Sequence, residues 1–301
     1  SRTEMTCLLL PMPGNEALAA ALAARFPAEV GTLITRQFPD GETYLRLPDN
    51  IAGNEVNIIC TLADPDPQFL RLAFTAATAR ELGARRVNLI APYFAYMRQD
   101  KRFHPGEAVS ARYFGQLLSG LFDRVVTIDP HLHRIARFQS ILSMPATVLQ
   151  AAPLLGAWVK ANVVRPVLVG PDSESEQWVA AVAAHAGAPY FILAKQRLGD
   201  RQVTIDAPDL AGWRDHAPVL VDDMIASGHT MLAAAALLTA HGLARPACLT
   251  VHAIFAGDAY ARLSVVATVV VSTDTIAHVS NRISVAPLLA DAIAGQPRSN
   301  P

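Results

Sequence analysis

Val219-Leu220-Val221-Asp222-Asp223-Met224-Ile225-Ala226-Ser227-Gly228-His229-Thr230, running straight into an Ala/Leu-rich stretch that ends at His241, decides the fold of this chain. An apolar strand at Val219–Val221 ends in two adjacent carboxylates, a Ser-Gly-x-Thr turn follows, and a helix begins. The turn brings backbone N–H groups and two hydroxyls to a helix N-terminus, where the aligned peptide dipoles favour an anion. Asp222 and Asp223 suit ribose hydroxyls or a magnesium ion, so the order suits a ribose 5-phosphate. A plain strand-to-helix turn with Ser and Thr capping the helix would use some of the same residues. Such a cap leaves two carboxylates at a strand end without a reason to be there.

The same alternation runs through the chain. Short apolar runs at Thr6–Leu10, Val56–Cys60, Val87–Ala91, Val125–Ile128, Val167–Val169, Leu249–Ile254 and Val265–Val271 read as strands. Glu16–Arg25, Gln68–Leu82, Val109–Leu121, Ala151–Lys160, Ser175–His185, Met231–His241 and Ala286–Ala294 read as helices. Buried apolar strands between helices indicate an α/β fold, with mainly parallel sheets covered on both faces. An internal repeat points to duplication. Val56–Cys60, a helix, Gly83-Ala84-Arg85 and Val87–Ala91 parallel Val219–Val221, a helix, Gly242-Leu243-Ala244-Arg245 and Leu249–Ile254. The first copy has Thr61-Leu62-Ala63-Asp64-Pro65 where the second has its acidic pair and turn.

The chain has 301 residues, 51% of them hydrophobic, enough for two domains of roughly 150 residues each. A formal net charge of −1 gives no general argument for nucleic acid or an anionic membrane. No apolar run reaches the roughly 20 residues of a membrane span. Ser1–Met5 lacks the pattern of a secretory signal, and Cys7, Cys60 and Cys248 sit in apolar runs without metal spacing. Both features lead to the expectation of a cytoplasmic protein with reduced thiols.

Five further clusters carry candidate chemistry. Phe38-Pro39-Asp40-Gly41-Glu42 is a tight turn between strand-like segments; an exposed hairpin would need nothing more, but an aromatic beside two carboxylates also suits a base and a ribose. Arg98-Gln99-Asp100-Lys101-Arg102-Phe103-His104 follows the apolar Asn88–Tyr93 run abruptly, either as a solvated loop or as a polyphosphate contact. Asp129-Pro130-His131-Leu132-His133 ends another strand; no further Cys or His completes a zinc site, and His131 suits a nucleotide or magnesium role. Asp172 opens the loop Asp172-Ser173-Glu174-Ser175-Glu176, which could cap a helix or reach magnesium, and Lys195-Gln196-Arg197 places two cations on one side of an extended chain.

These segments resemble the ribose-phosphate diphosphokinase (phosphoribosyl diphosphate synthetase) family, over about Phe38 to Ile293. The resemblance rests on Phe38–Glu42, Pro92-Tyr93-Phe94-Ala95-Tyr96-Met97-Arg98-Gln99-Asp100, Asp129-Pro130-His131, Lys195-Gln196-Arg197, Val221-Asp222-Asp223-Met224-Ile225, Ser272-Thr273-Asp274-Thr275-Ile276 and Ser284-Val285-Ala286-Pro287-Leu288. It implies two tandem type I phosphoribosyltransferase-like domains, expected at 1–147 and 148–285, with 286–301 packing back on the first. It also implies transfer of the diphosphoryl group of Mg-ATP to the 1-hydroxyl of ribose 5-phosphate, with Mg2+ as cofactor. By resemblance, Phe38, Asp40 and Glu42 contact ATP in a neighbouring subunit's site, which requires a homo-oligomer. Arg98, Gln99 and His131 contact ATP, and His131 and Asp172 serve the metal. Asp222, Asp223, Ser227, Gly228, His229 and Thr230 take ribose 5-phosphate, and Lys195 and Arg197 act on the transition state from a mobile loop.

Three positions depart from the family. Asp172-Ser173-Glu174-Ser175 stands where Asp-x-Gly-Gly or Asp-x-Gly-Ala is common, Ala226 where many bacterial members have Asp, and His229 where Gly is frequent. The altered loop is what a non-catalytic, synthetase-associated regulatory subunit would show. Retention of His131, Lys195, Arg197 and the acidic pair favours an active enzyme. A phosphoribosyltransferase consuming phosphoribosyl diphosphate would leave the first-half clusters unexplained.

Overall fold

The computed structural model describes residues 7–132, 135, 137–198, 202–206 and 209–295, with side chains left out for 194–198 and 202–206. The chain divides into two compact units. One runs to Leu149 and takes in the segment from Ala286 onward; the other spans Gln150–Val285.

The first unit contains β1 (Cys7–Pro11), α1 (Glu16–Ala23), β2 (Glu29–Val30), β3 (Ile34–Gln37), β4 (Thr43–Arg46), β5 (Glu55–Ile59), α2 (Asp66–Glu81), β6 (Arg86–Ala91), α3 (Ser110–Ser119), β7 (Arg124–Ile128) and β8 (Ala146–Leu149). Six strands form a parallel sheet in the order β2-β1-β5-β6-β7-β8. Leu8, Leu9 and Leu10 are consecutive and all fully buried, so both faces of β1 are covered. That is why these strands read as continuous apolar runs rather than alternating ones. β3 and β4 form a separate antiparallel hairpin.

The second unit contains α4 (Ala152–Asn162), β9 (Pro166–Gly170), α5 (Glu176–Ala186), β10 (Tyr190–Ile192), β11 (Ala194–Leu198), β12 (Gln202–Asp206), β13 (Ala217–Ile225), α6 (His229–Ala240), β14 (Ala247–Ala253), α7 (Ala259–Val266), β15 (Val270–Thr273) and β16 (Asn281–Ile283). Its parallel sheet runs β10-β9-β13-β14-β15-β16, and β11–β12 is a separate antiparallel hairpin. α8 (Ala286–Ala294) then returns to the first unit, packing against α1 and β8.

The two sheets have the same strand order, and each inserts its hairpin between the second and third strands of that sheet. The repeat visible in sequence is thus a repeat of topology. In both units the chain reverses direction across the sheet beside its first strand, at β1/β5 and at β9/β13. Open α/β sheets bind ligands outside the carboxyl ends of strands at such reversals.

Two sequence expectations are corrected and a third is borne out. The strand expected at Val219–Val221 extends to Ile225, because Asp222, Met224 and Ile225 pair with Thr250, His252 and Ala253 of β14. The strand expected at Val265–Val271 begins at Val270; Val265 and Val266 close α7, where Val265 is 75% exposed while Leu263 is buried. The extended Lys195–Arg197 segment is one arm of the β11–β12 hairpin, with Lys195 opposite Ile205 and Arg197 opposite Val203.

Candidate active site

The acidic pair lies within β13, one strand from Asp172 on the loop leaving β9. Both carboxylates are half-buried. Asp222 is pushed well above the ordinary carboxylate range, first by burial, then by the charge of Asp223, a side-chain hydrogen bond with Asp223 and the charge of Asp172. The Asp223 backbone N–H, 2.9 Å from Asp222 Oδ1, works in the opposite direction without cancelling the rise. Asp222 thus lies in negative surroundings, which a cation or hydroxyl donors would relieve. Thr250, opposite Asp222 in the register, is fully buried, and its hydroxyl has no hydrogen-bond partner among the described residues.

The turn after β13 is built for close approach. Gly228 has φ +74°, the left-handed conformation that costs a residue with a Cβ, and it immediately precedes α6. Ser227 and His229 are exposed and Thr230 is half-buried. The turn is braced from behind: the Phe255 N–H donates to Ile225 O at 2.8 Å and the Ala256 N–H to Ala226 O at 2.9 Å. Phe255 itself adopts φ +40°, so the brace carries backbone strain. Beside it, buried His252 places Nδ1 2.9 Å from Thr275 Oγ1. Thr275 Oγ1 in turn donates to Val251 O at 3.2 Å, which ties the Thr273–Thr275 loop to β14. The sequence reading missed Thr250, His252 and the Phe255 brace. Their signal was slight, since polar residues in an apolar strand could equally be satisfied core groups.

The Asp172 loop is closed rather than open. Ser173–Ser175 forms a single 3-10 turn, with the Ser175 hydroxyl donating to Asp172 O at 2.6 Å and its N–H reaching the same oxygen at 3.3 Å. Gly170 permits this: a Cβ there would lie 2.4 Å from Ile192 Cδ1 and 2.8 Å from Ser175 Oγ. Serine at 175 therefore replaces glycine flexibility with a hydrogen-bonded turn.

In the first unit, Arg98 and Gln99 lie on the loop leaving β6 and His131 on the loop leaving the adjacent β7. Arg98 and Gln99 are exposed and His131 is half-buried. Gln99 is anchored, its Oε1 accepting from Ser110 Oγ at 2.8 Å and its carbonyl from the Ala111 N–H at 3.1 Å. Tyr96 and Asp129 on these loops have φ +68° and +38°, so left-handed non-glycine backbone gathers at the carboxyl ends of β6 and β7. Phe38, Asp40 and Glu42 occupy the exposed tip of the β3–β4 hairpin, closed by the Phe38 N–H to Glu42 O at 2.7 Å and the Glu42 N–H to Asp40 Oδ1 at 3.2 Å. The side chains of Lys195 and Arg197, and the whole of His133, lie outside the described residues.

Among the described residues no cluster of three or more His, Cys, Asp or Glu side chains is arranged to hold a metal ion by itself. A hard cation completed by water and phosphate oxygens needs only one or two carboxylates. Asp172, whose charge reaches Asp222, offers a carboxylate of that kind. No helix among the described residues is long and apolar enough to cross a membrane.

Residues 7–121 match the N-terminal domain of ribose phosphate pyrophosphokinase, and residues 140–288 match the phosphoribosyl transferase domain. The ribose-phosphate pyrophosphokinase of Methanosarcina acetivorans is 34% identical over 283 residues, covering 93% of this chain and 97% of that protein. That of Methanopyrus kandleri is 33% identical over 279 residues, covering 92% and 94%. The crystal structure of phosphoribosylpyrophosphate synthetase from Mycobacterium smegmatis shares the fold at a TM-score of 0.84 and 24% identity, covering 96% of this chain and 98% of that one. Two matched domains and near-complete alignment at this identity leave one conclusion: the chain belongs to the ribose-phosphate pyrophosphokinase family.

Proposed function

We propose that this chain transfers the diphosphoryl group of ATP to the 1-hydroxyl of ribose 5-phosphate, giving phosphoribosyl diphosphate and AMP. The observation that carries the reading is the acidic pair on β13 leading directly into the glycine-bent turn before α6, at the reversal point of the second sheet.

Asp222 and Asp223 would accept hydrogen bonds from the ribose hydroxyls, fixing the anomeric carbon. Ser227, Gly228, His229 and Thr230 would take the 5-phosphate with hydroxyls, backbone N–H groups and the helix dipole. The 1-hydroxyl would lose its proton to solvent as its oxygen bonds to the β-phosphorus, the bond from that phosphorus to the oxygen bridging to the α-phosphate would break, and AMP would depart with that oxygen and the electron pair. Arg98, Gln99 and His131 would bind ATP. Phe38, Asp40 and Glu42 of a second copy would hold its base and ribose, which makes the working protein a homo-oligomer. Asp172 and His131 would hold Mg2+, which when bound supplies neutralisation of polyphosphate charge. Lys195 and Arg197 would stabilise the moving group from the β11–β12 hairpin.

The test is AMP formation from ATP and magnesium with purified protein, with and without ribose 5-phosphate. AMP that appears only with the sugar, matched by phosphoribosyl diphosphate, is the expected result. Absence of AMP from protein that binds both substrates refutes turnover and returns the regulatory-subunit alternative.

A further inference from the structure

The β3–β4 hairpin has two unlike faces. Leu33 and Leu45 pack against the core of the first unit. With a side-chain period of two, Arg36 and Phe38 on one arm share the opposite face with Tyr44, which sits directly across from Arg36 in the register. On that face the Arg36 guanidinium lies 5.0 Å from the Phe38 ring centroid and 4.8 Å from the Tyr44 centroid. The two rings are 6.2 Å apart and inclined at 80°. The guanidinium thus sits in the notch between two aromatic rings. Among the described residues it has no carboxylate within ion-pair distance, although Asp40 and Glu42 are close in sequence.

With no carboxylate beside it, the guanidinium is held at the hairpin by cation–π contact with the two rings. The arrangement does two physical things. It commits one side of an exposed phenylalanine, 38% accessible, to a cation and so restricts the rotamers the ring would otherwise sample. It also draws on the ring's π density from that side, which favours an electron-rich flat partner on the other.

We infer that Arg36, set against Tyr44, is a positioning residue that holds the Phe38 ring as a platform for the purine of ATP. This rests on the reading of Phe38, Asp40 and Glu42 as contacts to ATP. Arg36 acts through Phe38; it does not itself meet phosphate. The platform belongs to the base, so its loss weakens ligands that carry adenine and leaves base-free polyphosphates untouched.

The experiment compares Arg36→Ala, Arg36→Lys and Phe38→Ala in the full chain, measuring KM for ATP, KM for ribose 5-phosphate, kcat, and inhibition by inorganic tripolyphosphate. For Arg36→Ala we expect KM for ATP to rise about three- to tenfold, the scale of an exposed cation–π contact plus a freed rotamer. The tripolyphosphate inhibition constant, KM for ribose 5-phosphate and kcat should stay within about twofold, a margin too small to count as a lost contact. Arg36→Lys, which keeps a cation over the rings, should recover part of the loss. Equal weakening of ATP and tripolyphosphate by Arg36→Ala would make Arg36 a phosphate ligand and overturn the inference. An unchanged KM for ATP in Arg36→Ala alongside a raised one in Phe38→Ala would overturn it too, while leaving the base contact standing. If Phe38→Ala itself left KM for ATP unchanged, the underlying reading of the hairpin tip would fall first.

Discussion

Gly228→Ala isolates backbone conformation from sterics at the proposed phosphate turn. A Cβ at this position would meet Ala259 Cβ at 3.4 Å and Leu263 Cδ1 at 3.5 Å, ordinary contact distances, so there is room for the methyl. The difficulty is φ +74°, which costs a residue with a Cβ about 1–2 kcal/mol. The turn has two responses. If it stays left-handed, the strain appears as lost stability, about 2–8 °C in Tm for a unit of this size. If it relaxes toward negative φ, the N–H groups at the start of α6 turn away from the phosphate position, and the same energy appears as roughly 5–30-fold weaker ribose 5-phosphate binding. Calorimetric titration with ribose 5-phosphate and thermal unfolding of the unliganded protein measure the two channels separately. ATP binding serves as an internal control, since no first-unit residue is touched. Unchanged Tm together with sugar affinity within twofold would refute the argument that this glycine is required by its conformation.

Three other outcomes follow from the same geometry. Gly156→Ala should destabilise the second unit by about 1–3 kcal/mol or more in chemical unfolding, because the new Cβ would sit 2.4 Å from His185 Cβ and 2.9 Å from the Ala186 nitrogen at the α4–α5 crossing; a loss under about 0.5 kcal/mol would count against that close packing. Asp222→Asn should raise Tm at neutral pH while abolishing ribose 5-phosphate binding. The raised value of Asp222 means its folded form resists ionisation, so its cost to stability sets in as pH climbs past the ordinary carboxylate value of 3.8 and is complete above the folded value. The gain over wild type should therefore vanish in acid; a gain independent of pH would contradict the linkage. Lys195→Ala should lower kcat far more than it weakens ATP binding, as a group acting only on the transition state must, and matched losses in both would remove it from that role.

Much of this fold could be read from the chain because its strands are buried on both faces. Runs such as Leu8–Leu10 and Val167–Val169 admit few other readings, and the Gly83 and Gly242 turns recur at equivalent points of the two sheets. Where the reading failed, apolar content had been taken for strand. Val265–Val271 is β-branched at every position but Ala267, yet Ala259 and Leu263 four residues apart are what the core holds, and Val265 faces water. The apolar run alone ends the expected strand at Val221; pairing of Asp222 with Thr250 and of Met224 with His252 carries the ladder past the acidic pair. The site motifs were legible as residue types in order. What the order could not give was the hydrogen-bonded closure of the Asp172 loop by Ser175, which depends on a side chain folding back three residues.

The return of α8 to the first unit has a consequence for how the protein is made. Ala286, Leu289 and Ala290 are buried, and their helix packs on α1 and β8, elements translated long before it. On the ribosome, domains ordinarily fold in the order they emerge. Here the unit begun first lacks a structural helix until the whole of Gln150–Val285 has been synthesised, so the unit begun second is the first to have all its elements. A nascent chain stalled before Ala286 would carry a first unit with an uncovered apolar flank over α1 and β8. The α8 segment thus acts as a completion step, closing the earlier unit only after the later one has all its elements.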